Sequence, residues 1–453
     1  MSHKTYPAYK PCGVEWLGEI PEHWDVKRLK YIVSEPLQYG ANEAAELDDQ
    51  SLPRYIRITD IDESGRLRDD TFKSLPEDIA QPYLLKHGDL LLARSGATVG
   101  KSFYYDPSWG KAAYAGYLIR ARFNPSSVNT RFIHYYTNSH TYWEWLNSTL
   151  IQATIQNVSA EKYANFFIGM PNSQDQAIIV QFLDRETGRI DGLIERKRRQ
   201  IELLKEKRAA LISACVTGKL EVTMTKDKDG NPSFRASPSS RPMKPSGVEW
   251  LGEIPEHWSI FPLFTLLPER AERNAEGQEE NVLSLSYGKI IRRNVDNNYG
   301  LLPESFDTYQ IVSKGHIILR LTDLQNDKRS LRVGLVKETG IITSAYICLN
   351  PKDILHPEYA GYLLHSYDVS KVFYSYGGGV RQSMKYDDLK WMPILTPNYQ
   401  EQHAIASFLD RETGRIDGLI EKINLSIEKL QEYRSALISA AVTGKIDVRE
   451  SAE

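Results

Sequence analysis

The sequence has few cysteines, no long apolar run and almost no net charge, and each shortage excludes a class of protein. Only Cys12, Cys215 and Cys348 are present among 453 residues, and their spacing fits neither a disulfide framework nor a paired metal site. No run of 18 apolar residues occurs, and the N-terminal MSHKTYPAYK lacks the apolar stretch of a secretory signal. We therefore expect a cytoplasmic protein with no membrane partner.

The charge balance gives no sign of a nucleic-acid-binding protein. Lys and Arg number 56 against 59 Asp and Glu, which leaves a formal net charge of -3. Charged residues make up 25% and hydrophobic residues 41% of the chain, proportions that exclude wholesale disorder. Any surface that binds a polyanion must therefore be local.

What the sequence does contain is a duplication. The string GVEWLGEIPEHW occurs at residues 13–24 and again, without a change, at residues 247–258. An identical match of this length does not arise by chance. Two further repeats share a slightly smaller offset, namely FLDRETGRIDGLIE, which starts at Phe182 and at Phe408, and ALISACVTGK with ALISAAVTGK, which start at Ala210 and Ala436.

Between these strings lie two segments that share little sequence, residues 25–169 and 259–395, called here the first and second inserts. Both contain several strand-like apolar runs followed by a helical stretch, which predicts a mixed α/β fold. Two copies of one scaffold with unlike inserts are expected if the scaffold does one job twice while the inserts bind two different things. A polar segment rich in Pro, Ser and Lys, residues 225–246, separates the halves and predicts a tethering loop.

Each copy also contains a long amphipathic helix. The helices are expected to start near Asn172 or Ser173 and at Asn398, and to end at Gly218 and Gly444 in the left-handed C-terminal position. Apolar residues at heptad spacing predict an intramolecular coiled coil, antiparallel if a pseudo-twofold axis relates the copies. The predicted helix-pair and partner interface comprises Leu183, Ile190, Ile194, Ile201, Leu204 and Leu211 in the first helix, and Leu409, Ile416, Ile420, Ile423, Ile427, Leu430 and Leu437 in the second.

No catalytic motif is complete in this sequence. GATVGKS at residues 96–102 resembles a phosphate-binding loop with Lys101 and Ser102 in place, but only three residues separate its glycines where that loop needs four. A nucleotide hydrolase is therefore a weak alternative. The ten histidines form no ligand pair with a carboxylate at helical spacing, so we predict neither a metal site nor an enzyme.

Basic and polar side chains at strand ends of the inserts favour nucleic acid, although each one singly is more often a solvated charge. Arg and Gln pair with guanine and adenine edges, while Lys and Ser suit phosphates. The candidate base contacts are Arg57, Arg94, Gln156, Asn157, Arg320, Arg381 and Gln382. The candidate phosphate contacts are Lys101, Lys289, Lys328, Arg329 and Lys385, and further candidates at the same strand ends are Thr59, Ser95, Thr322 and Arg332.

The sequence resembles the specificity subunit of type I restriction-modification systems over nearly its whole length. The repeated GVEWLGEIPEHW, the helix openings PNSQDQAIIVQFLD and PNYQEQHAIASFLD, and the two helix ends carry this resemblance. The resemblance implies two target recognition domains, each reading one half of a split, asymmetric DNA sequence. The pseudo-twofold arrangement of the copies further predicts half-sites centred about one helical turn, roughly 34 Å, apart. The resemblance also implies that this chain recognises the DNA sequence and catalyses no reaction.

The resemblance further implies the partners and the domain plan. Two modification subunits that use S-adenosylmethionine would dock on the helices, and restriction subunits would add translocation and cleavage with ATP and magnesium, so this chain itself would bind no cofactor. A coiled-coil adaptor that does not read DNA is the main alternative. The expected segments are 1–25 (scaffold), 26–172 (recognition domain 1), 173–218 (spacer helix 1), 219–246 (linker), 247–397 (scaffold and recognition domain 2), 398–445 (spacer helix 2) and 446–453 (tail).

Overall fold

The computed structural model covers most of the chain, which divides into two units. The described residues are 4–62, 65, 67–151, 157–226, 228–230, 232–275, 277–293, 305–322, 331–376 and 383–449. The first unit comprises Met1–Lys197 and Asn424–Glu453, and the second comprises Arg198–Ile423. Each unit thus combines one insert with parts of both long helices.

The first half of the chain contains the following elements. Its strands are β1 (Tyr9–Pro11), β2 (Glu19–Pro21), β3 (Asp25–Arg28), β4 (Gln38–Tyr39), β5 (Arg54–Ile56), β6 (Leu90–Ala93), β7 (Ser102–Tyr104), β8 (Ala112–Tyr114), β9 (Leu118–Ala121) and β10 (Phe167–Met170). Its helices are α1 (Glu77–Ala80), α2 (Thr130–Tyr136), α3 (His140–Ile151), α4 (Ala160–Ala164) and α5 (Ser173–Val216).

The second half repeats this order with different loops. Its strands are β11 (Leu220–Lys226), β12 (Pro232–Pro238), β13 (Met243–Pro245), β14 (Glu253–Pro255), β15 (Ser259–Pro262), β16 (Leu283–Ser286), β17 (Lys289–Arg292), β18 (Gln310–Val312), β19 (Ile317–Leu319), β20 (Val333–Leu335), β21 (Gly340–Ile342), β22 (Ile347–Leu349) and β23 (Pro393–Thr396). Its helices are α6 (Leu263–Leu266), α7 (Pro357–Val369), α8 (Val372–Tyr376), α9 (Tyr386–Leu389) and α10 (Tyr399–Val442).

The first insert is built around an antiparallel sheet of strand order β4-β9-β6-β7. Every residue of β6, with sequence LLLA, is buried, because this inner strand is covered on both faces. Strands β5 and β8 pair in parallel beside a core that includes Leu91, Phe103 and Tyr114.

The second insert places β19 where the first places β6. Strand β19 lies between β20 and β22 in an antiparallel sheet, and all three of its residues are buried. Strands β16 and β17 form a separate hairpin, and β18 pairs with β21. Together with the helices that follow each sheet, these elements confirm the predicted mixed α/β fold.

The two long helices pack antiparallel, as the heptads predict. Each has 44 residues, about 65 Å at 1.5 Å per residue. In the first unit Arg434 Nε lies 2.9 Å from Asp191 Oδ1, and in the second unit Arg208 Nε lies 3.2 Å from Asp417 Oδ1. Later residues of one helix thus meet earlier residues of the other, and the same ion pair occurs in both copies.

The apolar residues predicted for the helix pair lie away from solvent. This burial is what a coiled-coil seam requires, since the seam is the apolar face that each helix turns to its neighbour. Leu183, Ile190, Ile194, Ile201, Leu409, Ile416, Ile427 and Leu437 are buried. Leu204, Leu211, Ile420, Ile423 and Leu430 are half-buried.

Asparagine side chains cap both long helices at their N-termini. Asn172 Oδ1 accepts a hydrogen bond from the Asp175 backbone N–H at 2.8 Å, and Asn398 Oδ1 accepts one from the Glu401 N–H at 2.9 Å. These bonds satisfy one of the free N–H groups in each first helical turn. The predicted caps are therefore confirmed in both copies.

The glycines that end the helices pack on the repeated string of the other copy. Gly218 and Gly444 have φ angles of +75° and +72°, which only glycine adopts without strain. A Cβ on Gly444 would lie 2.4 Å from Pro21 Cδ, and one on Gly218 would lie 2.3 Å from Pro255 Cδ. Within each unit, the helix of one copy therefore ends against the GVEWLGEIPEHW string of the other.

The segment predicted as a tethering loop is instead largely folded. Strands β11 and β12 pair antiparallel over their whole length, from Leu220 opposite Pro238 to Lys226 opposite Pro232. Val222 is buried in the core of the second unit, and Arg411 Nη2 donates to the Phe234 carbonyl at 2.6 Å. The Pro- and Ser-rich composition concealed the alternation of Leu220, Val222 and Met224, which is a strand signal.

Candidate nucleic-acid interface

A polar cluster lies where β6 ends in the first insert. Ser95 forms an antiparallel bridge with Asn157, and the Val158 N–H donates to the Arg94 carbonyl at 2.9 Å. The Arg94 side chain donates through Nε to Asn157 Oδ1 at 3.3 Å, and its guanidinium lies 4.7 Å from the centre of the Tyr39 ring. These contacts bring three predicted residues together with Tyr39, and we call Tyr39, Arg94, Ser95 and Asn157 the first strand-end cluster.

The second insert repeats this pairing where β19 ends. Thr322 forms an antiparallel bridge with Ser383, and the Met384 N–H donates to the Leu321 carbonyl at 2.9 Å. Arg320 and Thr322 are half-buried, and Ser383 is exposed. We call Arg320, Thr322 and Ser383 the second strand-end cluster, which has the same backbone pairing as the first but different side chains.

Buried tyrosines support the backbone of the first cluster. Tyr163 Oη donates to the Ala93 carbonyl at 2.8 Å, and Tyr142 Oη donates to the Gly100 carbonyl at 2.7 Å. Burial raises the pKa of both phenols, so both remain protonated donors at neutral pH. They fix the two chain segments that leave and re-enter the sheet beside Arg94.

In the second insert a buried arginine supports the backbone of the cluster. Arg332 Nη1 donates to the carbonyls of Arg320, at 3.1 Å, and Thr322, at 2.8 Å. Its backbone N–H donates to Asp368 Oδ2 at 2.5 Å, and burial raises the pKa of that carboxyl. Arg332 has 0% exposed surface, which contradicts its predicted role as a DNA contact. It lies behind the cluster and holds the backbone in place.

Arg57 is likewise engaged within the first insert. Its Nη2 lies 2.7 Å from Asp60 Oδ1 and donates to the Thr71 carbonyl at 2.8 Å, while its Nε lies 3.0 Å from Asp60 Oδ2. A guanidinium with these partners stabilises the local fold, so a DNA contact by Arg57 would compete with the ion pair to Asp60. Thr59 is exposed next to this ion pair.

Three predicted phosphate contacts are exposed lysines. Lys101 lies just before β7, and its carbonyl accepts from the Ala93 N–H at 2.8 Å, so it adjoins the first cluster. Lys289 opens β17 and lies 3.7 Å from Asp417. Lys385 caps α9 two residues after Ser383 of the second cluster. The remaining predictions, Gln156, Lys328, Arg329, Arg381 and Gln382, lie outside the described residues.

The segment that resembles a phosphate-binding loop has a different structure. Gly96–Thr98 forms one 3-10 turn, and the chain then returns as β7 from Ser102, where a phosphate loop would start a helix. The buried Ser102 Oγ accepts from Thr137 Oγ1 at 2.7 Å and lies 3.2 Å from His134 Nδ1. Burial lowers the pKa of His134 to about 4, so the ring is neutral at physiological pH. This geometry does not cradle a nucleotide.

One duplicated contact, between a histidine and a carboxylate, was not predicted from the sequence. His23 Nε2 lies 3.0 Å from Asp175 Oδ2 in the first unit, and His257 Nε2 lies 2.9 Å from Glu401 Oε2 in the second. Each pair joins the repeated string to the first turn of a long helix. The signal was available, because both histidines and both carboxylates occur at the repeat offsets.

The described residues, within the ranges given above, offer neither a metal site nor a membrane span. They contain no group of three or more His, Cys, Asp or Glu side chains that could hold a metal ion. Among the same residues, no helix is both long and apolar enough to cross a membrane.

The sequence matches the family model described as the type I restriction modification DNA specificity domain, over residues 21–203 and 276–429. It is 25% identical over 451 residues to the putative type I restriction enzyme MjaX specificity subunit of Methanocaldococcus jannaschii, an alignment that covers 96% of both chains. It is also 25% identical over 214 residues to the EcoKI specificity subunit of Escherichia coli, over 45% of this chain and 44% of that one.

Two solved structures have a similar fold. A chain from a study of complex assembly and conformational transition in a type I R-M system has a TM-score of 0.63 at 14% identity, covering 93% of this chain and 98% of that chain. The HsdS subunit from Thermoanaerobacter tengcongensis has a TM-score of 0.50 at 14% identity, covering 94% and 98%.

Proposed function

Because the chain belongs to the type I restriction-modification DNA specificity family, we propose that each of its two inserts reads one half of a split, asymmetric DNA target. The chain is the non-catalytic subunit that recognises the DNA sequence for a restriction-modification complex. The observation that carries the proposal is the pair of strand-end clusters, which share a backbone arrangement and differ in their side chains.

Arg94 is the strongest base-reading candidate in the first insert. Its Nε is held by Asn157 and its guanidinium stacks on Tyr39, so the side chain is oriented before DNA binds. Among the described residues, no hydrogen bond uses its Nη1 or Nη2. A guanidinium presents two parallel donors that match O6 and N7 of guanine in the major groove. Arg94 therefore recognises guanine in this proposal, with Asn157 beside it as a partner for adenine.

Arg320 and Thr322 are the base-reading candidates of the second insert. Thr322 occupies the position of Ser95 in the shared backbone pairing, whereas Leu321 occupies the position of Arg94. The carbonyls of Arg320 and Thr322 are fixed by Arg332, so their side chains leave a rigid backbone. Gln156, Arg381 and Gln382 adjoin the two clusters in sequence and complete the proposed base-reading set. Ser95 and Thr59 supply hydroxyl groups at the first insert.

Phosphate binding is assigned to exposed lysines near the clusters. Lys101, Lys289 and Lys385 are exposed, and Lys328 and Arg329 complete the proposed set by sequence. Each phosphate neutralised releases counterions, so these residues supply affinity that depends on salt and does not depend on sequence. A few such contacts suffice in a subunit whose net charge is -3, because partner subunits add to the DNA contact.

The long helices fit the role of spacer and partner platform. We propose that two modification subunits bind them and bring S-adenosylmethionine, and that restriction subunits bring ATP and magnesium. The helix pair is continuous and capped, which suits an element that holds two half-sites at a constant separation.

The proposal is tested by selection from a random duplex library. The chain is combined with its modification subunits and S-adenosylmethionine, competitor DNA is added in excess, and bound duplexes are sequenced. We expect one split motif, with one methylatable adenine in each half. A bound fraction with no enriched motif would favour the coiled-coil adaptor over the DNA reader.

Two variants of the first insert separate base contacts from phosphate contacts. Arg94→Ala should relax one position of one half-site, a loss of about 1–3 kcal/mol of discrimination, whereas Lys101→Ala should weaken all sequences alike. Arg68→Ala is the matched control, since Arg68 is an exposed arginine of the same insert that pairs with Asp70 at 2.8 Å. An unchanged motif in the Arg94 variant would remove Arg94 from the base-reading set.

A further inference from the structure

Each strand-end cluster has an exposed tyrosine beside it that the base and phosphate assignments leave unexplained. Tyr287 is 79% exposed, the highest value for a large apolar side chain in the described part of the molecule, and Tyr117 is 61% exposed. Neither ring contributes to a core at these exposures. Exposure alone is common for a single aromatic side chain, so what distinguishes these two rings is the basic and polar groups that lie beside them.

The backbone at Tyr287 is strained. The turn between β16 and β17 consists of Tyr287 and Gly288, whose φ angles are +46° and +77°. A two-residue hairpin turn with two positive φ angles favours Asn-Gly, because a bulky side chain in the left-handed region clashes with its own backbone. The hairpin therefore presents a tyrosine at a position where asparagine or glycine would fold more easily.

The tip of this hairpin packs on the chain segment that pairs with the second strand-end cluster. A Cβ on Gly288 would lie 3.1 Å from Leu331 Cβ and 3.5 Å from the Val333 carbonyl oxygen. These residues flank Arg332, whose guanidinium holds the carbonyls of Arg320 and Thr322. Along β17 the exposed Lys289 follows Tyr287 by two residues, so an aromatic ring and an ammonium group project from one end of the hairpin.

Tyr117 has an equally direct connection to the first cluster. It lies in the turn between β8 and β9, and its carbonyl accepts the Arg94 N–H at 3.0 Å. Lys101 lies on the other side of the same strand end, since its carbonyl accepts the Ala93 N–H. An exposed tyrosine ring thus accompanies one arginine and one lysine here as well.

We propose that Tyr117 and Tyr287 are DNA contacts that pack on a sugar or insert at a base step, each in the half-site read by its own insert. This inference rests on the proposed function and extends it to residues that hydrogen-bond chemistry does not identify. The basic neighbours Arg94, Lys101 and Lys289 favour a polyanion over an apolar protein surface. A tyrosine ring has few rotatable bonds, so ordering it against a base costs little conformational entropy.

Tyr287→Gly separates this role from a structural one, because the two predict opposite results. Glycine adopts a φ of +46° without strain, so the variant should unfold at the same or a higher urea concentration than the wild type. The assembled complex should nevertheless bind its cognate duplex about 5- to 150-fold more weakly, as expected for the loss of one stacked base. Tyr117→Ala should weaken binding by a similar factor.

Lys371→Gly is the matched control for the backbone effect. Lys371 is the other non-glycine residue with a positive φ, +61°, among the described residues. Its replacement should relieve backbone strain while also removing the ammonium that lies 5.3 Å from the centre of the Tyr374 ring. The dissociation constant for DNA should stay unchanged. Equal weakening in Lys371→Gly and Tyr287→Gly would show that hairpin strain, and not the ring, affects binding.

A direct readout uses duplexes in which thymines are replaced singly by 5-iodouracil, which crosslinks to nearby aromatic side chains on irradiation. We expect Tyr117 to crosslink in one half-site and Tyr287 in the other. The proposal is wrong if neither tyrosine crosslinks and both variants bind like the wild type. It is also wrong if the variants lose the modification subunits while DNA affinity per assembled complex is unchanged. If the wild-type complex enriches no motif from the random duplex library, the proposed function itself is wrong.

Discussion

The two inserts hold the same strand-end backbone with different chemistry. In the first, the hydroxyls of Tyr142 and Tyr163 donate to backbone carbonyls, and in the second the guanidinium of Arg332 does so. A phenol adds a neutral donor to an apolar interior, whereas a buried guanidinium brings a charge that needs several acceptors. The second insert therefore ties two carbonyls of one chain segment to a single residue, whereas the first ties one carbonyl in each of two segments to separate residues.

The scaffold contrasts with this divergence, because its polar contacts are repeated almost atom for atom. Gln176 Nε2 donates to the Pro171 carbonyl at 2.9 Å, and Gln402 Nε2 donates to the Pro397 carbonyl at 2.8 Å. Tyr hydroxyls bind Asp and Thr on the helices in both copies, through Tyr135 with Asp184 and Thr187 and through Tyr362 with Asp410 and Thr413. Side chains that place an insert on its helix thus repeat, and side chains that shape its recognition surface do not.

The largest expected effect tests the dependence of the second insert on its arginine. Arg332→Ala should lower the free energy of unfolding by about 3 kcal/mol. The substitution removes two hydrogen bonds from a charged donor, so the carbonyls of Arg320 and Thr322 lose the Nη1 donor. Lys101→Ala is the matched variant, because the two residues hold equivalent positions. Lys101 immediately precedes β7, which pairs with β6, and Arg332 immediately precedes β20, which pairs with β19. Lys101 is exposed, so its loss should change stability by less than about 0.5 kcal/mol. Urea unfolding checks both.

The specificity of the Arg332 variant sharpens the same comparison. Folded Arg332→Ala complexes should show a blurred motif in one half-site only, with the other half-site unchanged in library selection. Rescue by Arg332→Lys should be incomplete, because the more strongly hydrated ammonium costs more to bury and lacks the planar geometry that directs Nη1 at both carbonyls. Equal blurring of both half-sites would contradict the assignment of Arg332 to the second cluster.

A pH series asks whether both inserts respond alike to acid. Burial lowers the pKa of His134 in the first insert and of His365 in the second to about 4, against about 6.5 in the unfolded chain. The unfolded state therefore binds more protons below pH 6.5, and stability present above pH 6.5 is lost as the pH falls towards 4. Allowing for the partial exposure of both rings, we expect a loss of about 2 kcal/mol for each histidine.

His134→Gln and His365→Gln each remove one of these contributions. Urea midpoints measured at pH 7 and pH 4.5 should show a smaller difference in each variant than in the wild type. If the wild-type chain is equally stable at both pH values, neither His134 nor His365 is a buried neutral base.

The smallest expected effect concerns glycines that the two helices share. A Cβ on Gly188 or Gly414 would meet no atom within 4 Å, and neither residue has a positive φ. Gly188→Ala and Gly414→Ala should therefore each stabilise the chain by up to about 1 kcal/mol through helix propensity. Gly218→Ala is the control of opposite sign, because its Cβ would collide with Pro255 at a φ of +75°. Thermal unfolding of the paired variants checks whether the two copies respond equally.

The scaffold was predictable from sequence because its signals are local and occur twice. Heptads, asparagine caps and terminal glycines identify α5 and α10 without tertiary information, and the repeat offsets supply an independent check at Asn172 and Asn398. The hairpin of β11 and β12 was missed because turn-forming composition outweighed a short alternating pattern whose buried partner, the core around Val222, is distant in sequence.

The recognition surface was predictable only in part. Arg94, Ser95 and Asn157 meet because strand ends gather at one edge of a sheet, a rule that the sequence pattern can use. The burial of Arg332 depends on Asp368, which approaches from α7, and no local pattern distinguishes that arginine from the exposed Lys101. The exposure of Tyr287 was equally hidden, because tyrosine in a strand-like run predicts a buried ring.

The duplicated ion pairs constrain how the long helices can change in length. Asp191 precedes Arg208 on α5 by the same separation at which Asp417 precedes Arg434 on α10. An insertion between the paired residues of one helix alone would leave its charges out of step with those of the other, whatever its size. Both ion pairs are kept only when both helices gain the same number of residues, so the internal repeat couples any change in the length of one helix to the same change in the other.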